Sequence, residues 1–70
     1  MGRDVREKIA SAFRQLPRRL YVVATLALIE ERSYSEIAEG LGISLGAVKS
    51  RVFRSVRQLQ GKLKRLGIEP

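Results

Sequence analysis

The chain has 70 residues, enough for one small core and too few for a two-domain enzyme. It contains no Cys and no His, so it lacks the ligands of ordinary zinc, haem and iron–sulfur sites, any thiol nucleophile or disulfide, and the usual proton shuttle, and no cofactor is expected. Lys and Arg number 14 against 7 Asp and Glu, a formal charge of +7 that directs the search for partners to nucleic acid or anionic lipid.

Punctuation at Leu16-Pro17, at Glu31-Arg32-Ser33, over residues 40–44 and from Gly67 onward divides the chain into four helices, an all-α fold in a single domain over residues 1–70. The first helix is predicted over about residues 5–15. Asp4 is its expected N-cap, with Glu7 three residues on as in a capping box, and Val5, Ile9, Ala12, Phe13 and Leu16 form its inward stripe. The second starts at Pro17, whose missing N–H is no loss in a first turn, and extends to about residue 31. Leu20, Tyr21, Val22, Val23, Leu26, Leu28 and Ile29 cover every side of it, the pattern of a central, wrapped helix. Its nearly apolar run, residues 21–29, falls far short of the about 20 residues a membrane helix needs. Residues 1–16 alternate charged and apolar side chains where a signal peptide would carry an unbroken apolar stretch, so a cytoplasmic chain without a membrane partner is expected.

The third helix, residues 34–41, is short, with Ser33 and Glu36 as a capping box and Ile37, Ala38 and Leu41 facing inward. Gly42 ends it by permitting a left-handed backbone. The fourth begins after Ser44 and runs to about residue 66, roughly 33 Å at 1.5 Å per residue. At steps of about 100° per residue, Val48, Val52, Val56, Leu59, Leu63 and Leu66 fall in one sector of about 80° and Gly46, Ser50, Arg54, Arg57 and Lys64 in the opposite one. Gly61 also falls on the cationic front, where it softens the helix. The charge follows this division: residues 1–39 hold 7 basic and 6 acidic side chains, residues 40–70 hold 7 basic and only Glu69.

Residues 34–66 therefore have the layout of a helix-turn-helix with a long C-terminal recognition helix, and the constrained positions have steric reasons. Ala38 is small where the next helix crosses, Gly42 turns the chain, and Ile37, Leu41, Ile43 and Val48 close a core between the two helices. The fourth helix lacks the Glu that the first and third place at the third helical position. Ser44, Gly46 and the unneutralised N–H groups there would admit a phosphate, although Gly46 is also what close packing would select. Phe53, beside Arg54, suits either contact with thymine methyls in a major groove or packing against the first helix. Arg51, Arg54 and Arg57 suit either DNA or a solvated basic face, and the absence of acid between Glu39 and Glu69 favours DNA.

Leu16-Pro17-Arg18-Arg19 before an apolar helix, then Ser33-Tyr34-Ser35-Glu36-Ile37-Ala38-Glu39, Leu41-Gly42-Ile43-Ser44, Gly46-Ala47-Val48-Lys49-Ser50-Arg51-Val52 and Phe53-Arg54, resemble region 4 of bacterial sigma factors of the extracytoplasmic-function type. The resemblance covers about residues 5–66 and is most specific in the block from Gly46 to Val52. It implies recognition of the promoter −35 element in the major groove of duplex DNA, with Lys49, Ser50, Phe53 and Arg54 at the family's contact positions. The wheel agrees for Ser50, Phe53 and Arg54, and sends Lys49 sideways to phosphate. The resemblance also implies docking to the flap of the RNA polymerase β subunit and, in many relatives, to an anti-sigma factor. Two departures stand out: Glu31-Arg32 occupies a loop where many relatives have Gly, and the −10-reading region 2 is absent, as expected of an excised C-terminal domain with Met1-Gly2 as an added start.

Three other classes compete. A response-regulator effector domain shares Glu-Ile-Ala and Val-Lys, but its dimerising last helix is separate, whereas the seam from Val48 to Leu66 is unbroken. A helical interaction module would dock a partner on that seam and ignore DNA. An enzyme would need more than scattered Ser, Tyr, Lys and Glu without a phosphate-binding loop. The apolar area of the second and fourth helices exceeds what the first and third can cover. Val56, Leu59, Leu63 and Leu66 are thus expected to stay accessible to the flap or an anti-sigma helix, with the second helix or residues 31–33 as the other docking site.

Overall fold

A computed structural model describes residues 3–67, and those residues form α1 (Arg3–Arg14), α2 (Arg18–Ala24), a π-helical turn (Thr25–Ile29) continuing α2, α3 (Tyr34–Leu41) and α4 (Leu45–Arg65). The expected all-α helix-turn-helix architecture is present. Its longest dimension, 35 Å against 19 and 18 Å, follows from α4, whose 21 residues span about 31 Å at 1.5 Å each. The helix continues through Gly61 without a break.

The seam of α4 is the spine of the core. Its outer half gives Leu59 to a cluster with Ala12, Leu16, Leu20 and Ala24, against which Phe13, Leu63 and Leu66 pack. Its inner half gives Val48 and Val52 to a second cluster with Val23 and Ile37, flanked by Leu26, Ala38, Ile43 and Val56. Leu59 is 6% exposed, and the expected open docking strip from Val56 to Leu66 is therefore internal packing. α1 and α2 together close over the outer half of α4, which neither could cover alone.

The surplus apolar surface lies on α2 instead. Leu20, Val23 and Ala24 are buried, but Tyr21 is 40%, Leu28 44% and Ile29 59% exposed, so α2 is not wrapped on every side. Its last turn also winds more widely than expected, with the Glu30 N–H reaching the Thr25 carbonyl at 3.0 Å and the Arg32 N–H reaching Leu26 at 3.0 Å. The extra residue per turn shifts Leu28 and Ile29 round the helix toward solvent. Glu31 then takes a left-handed conformation, φ 54°. Within the Glu31-Arg32 loop a residue with a side chain thus holds a conformation that Gly adopts without strain.

α1 starts earlier than predicted, and Asp4 lies inside it. Its carboxylate meets Lys8 Nζ at 3.2 Å, one turn on, rather than capping the helix. With the helix already under way at Arg3, the Glu7 N–H that an Asp4 cap would take belongs to the helix's own i to i−4 ladder. Leu41, expected inside, is 38% exposed because Gly42 turns the chain immediately beyond it.

Candidate nucleic-acid interface

The interface is built from the α3–turn–α4 unit, and local chemistry fixes each joint of it. Ser33 Oγ accepts the Glu36 N–H at 3.1 Å and Glu36 Oε1 accepts the Ser33 N–H at 3.0 Å, the predicted reciprocal cap. The Ser33 backbone N–H, the Ser33 hydroxyl and the nearby Arg32 charge favour the ionised carboxylate and hold Glu36 below the ordinary Glu range. At the other end of α3, Gly42 has φ 66°, and the Ile43 N–H bonds back to the Ala38 carbonyl at 3.0 Å. This six-to-one closure turns the chain and seats Ile43 beside Ala38 in the inner core.

Ser44 opens α4 as its N-cap, its hydroxyl accepting the Ala47 N–H at 3.0 Å. One donor of this helix end is thus satisfied from within, by a neutral hydroxyl. The Leu45 and Gly46 amides remain the outward donors of the terminus, and its first turn contains no acid. Gly46 is not small for packing. A Cβ added there would meet only Ser44 Oγ at 4.0 Å, so the residue leaves open space above the helix end.

Along α4 the cationic front faces solvent. Lys49, Ser50, Arg54 and Arg57 are exposed, as are Ser44 and Gly46, and no acid interrupts the helix. Phe53 is 62% exposed, which excludes packing against α1. Its ring instead lies under the Arg57 guanidinium, 5.8 Å from carbon to centroid, an i to i+4 pair on the open face. Arg51 is half-buried on one flank, and about 160° round the wheel from it lies Phe53, with Lys49 on the same side. The candidate residues therefore share one face except Arg51, which sits at its edge against α2.

Two features escaped the sequence reading. Ser55 is buried with 0% exposure, and its hydroxyl lies 3.2 Å from the Leu20 carbonyl and 2.7 Å from the Arg51 carbonyl, joining α4 to α2 between the two core clusters. Arg18 and Arg19 border the same face of α4, one cleft away from Arg51 and Arg54. The signal that singled out α4 was available for them too, since no acid occurs between Glu7 and Glu30.

Among the described residues no helix is long and apolar enough to cross a membrane. Comparison with curated proteins finds no match. Comparison with family models finds Sigma-70, region 4, over residues 6–59. That stretch takes in most of α1, the whole of α2 and α3, and α4 as far as Leu59, and the chain belongs to the sigma-70 region 4 family, DNA-binding domains that recognise the −35 promoter element for RNA polymerase.

Proposed function

We propose that the whole chain acts as one cytoplasmic region 4 unit that lays the exposed front of α4 in the major groove of the −35 element. Ser50, Phe53 and Arg54 face base edges in this reading. Ser44, Gly46, Lys49, Arg51 and Arg57 hold phosphates, the first two through the helix end. The observation that carries it is Phe53: a ring 62% exposed in the middle of an acid-free helix has no role in the core and suits thymine methyls. A helix about 10–12 Å across also matches a groove about 12 Å wide. The seam that a pure interaction module would offer is consumed in the core, and the single long α4 lacks the separate dimerising helix of a response-regulator effector.

Docking to the polymerase β flap then falls to α1 and α2. Ile9, Phe13, Tyr21 and Ile29 line an apolar groove there, with Arg6 and Arg14 at its edge. An anti-sigma factor of the kind many relatives have would cover the α4 front. The DNA reading is tested by titrating a labelled −35-type duplex at several salt concentrations. Contact with about four phosphates gives a log–log slope near −3.6, at about −0.9 per phosphate, and a flat slope refutes it.

A further inference from the structure

Arg18 and Arg19 stand outside the α3–α4 unit that supplies every contact considered so far, yet they line two clefts against it. One cleft is closed by Leu41, Ile43 and Arg51, the other by Arg54 and Gln58. No carboxylate stands in the wall of either. Arginines from two distant segments thus converge on open solvent without an acid to offset their repulsion, an arrangement that an anion between them relieves. The spacing is held firmly. Ser55 ties the Leu20 carbonyl, one residue past Arg19, to the turn of α4 that begins at Arg51.

We propose that Arg18 and Arg19, with Arg51, form a cationic ledge that grips backbone phosphates of one DNA strand while the front of α4 lies in the groove. The inference rests on the reading of α4 given above. A helix about 10–12 Å across fills a groove about 12 Å wide, so whatever stands on its flank meets the phosphate wall. The ledge occupies the flank away from Phe53 and Lys49, which makes the grip lopsided, with three arginines on one side and Lys49 on the other. Guanidinium groups suit phosphate oxygens through their paired donors, and phosphate contacts carry no sequence information. The ledge therefore sets affinity and register and leaves base preference to the front of α4.

The test uses the 70-residue chain and a mixed-sequence duplex of about 20 base pairs, titrated by fluorescence anisotropy between about 50 and 200 mM salt. Arg18→Gln/Arg19→Gln is expected to weaken binding and to make the log–log slope shallower by about 1.8, at about 0.9 per phosphate. The preference for a −35-type duplex over the mixed one should not change. Lys8→Gln removes charge from α1, away from both clefts, and should leave the slope where it was. An unchanged slope in the ledge variant beside a steep wild-type slope overturns the ledge alone, as does an equal change in the α1 variant. A flat wild-type slope overturns the DNA reading and the ledge with it. Arg18 and Arg19 are both exposed, so circular dichroism should show an unaltered fold in every variant.

Discussion

Replacing Phe53 by Ala separates binding from folding more cleanly than any other single change. Full burial of a Phe side chain is worth about 1.5–3 kcal/mol. With 62% of the residue still open in the free domain, roughly 1–2 kcal/mol of that remains to be gained at a groove, so the variant should bind its preferred duplex about 5- to 30-fold more weakly. Stability should move modestly. Loss of the exposed Arg57 contact costs about 0.5–1 kcal/mol and loss of the already covered part of the ring roughly another 0.5–1, while the better helix propensity of Ala returns roughly half a kcal/mol. The residual of about 1 kcal/mol corresponds to a shift of about 4–8 °C in Tm for a domain this small. Anisotropy titration and thermal melting followed by circular dichroism give both quantities on one sample. Unchanged DNA affinity would refute the role at the groove. A fall of about 20 °C or more in Tm would mean that the ring is core after all, and the assignment of the α4 front would have to be redrawn.

Arg54→Ala should cost about 1–3 kcal/mol on the preferred duplex and less on random DNA, whereas Arg57→Ala should weaken both alike; equal losses at Arg54, read from the same titrations, would make it a phosphate contact. Glu31→Gly should raise Tm, because relief of about 1–2 kcal/mol of left-handed strain exceeds the roughly 0.5–1 kcal/mol of chain entropy that Gly adds to the unfolded state; a lower Tm would show that the Glu31 side chain stabilises the loop. Leu63→Glu should destabilise the fold by about 2 kcal/mol or more, since the charge enters the cluster around Leu16 and Leu59. A variant that melts normally but no longer binds polymerase would restore the seam as a docking surface.

The parts of the fold that were legible in the sequence are those determined by neighbours in the chain. Ser33 and Glu36 cap α3, Gly42 turns it and Ser44 starts α4, each through a bond spanning a few residues, and each appears where the motif puts it. The wheel also placed the α4 front correctly, because a straight helix carries its periodicity without outside help. What failed depended on distant partners. Whether Tyr21 or Leu63 is covered depends on how α1 folds back, and periodicity is silent on that. The π turn at residues 25–29 has no Gly or Pro to announce it. Ser55 carries no local signal, because its distant partner, the Leu20 carbonyl, comes from α2. The Arg18–Arg19 pair belonged, on sequence alone, to a different helix from the face it borders.

The division of labour within α4 bears on how such a domain can hold DNA and polymerase together. Its back is buried in both core clusters and its front is free, so the candidate contact side chains ride on a helix anchored along its length. In the proposed reading, a firmly packed main chain lets Ser50 and Arg54 meet base edges with only their side-chain rotamers left to order. Because that back is used up in packing, a protein partner has to find its apolar contacts elsewhere, and the exposed Tyr21 and Ile29 on the α1–α2 side are where they remain. DNA and the proposed flap contact thus draw on different elements and need not compete. A partner that silences the domain, by contrast, has to cover the α4 front itself. Its chemistry is then set by that front: it must bring carboxylates for Arg54 and Arg57 and a pocket for the Phe53 ring.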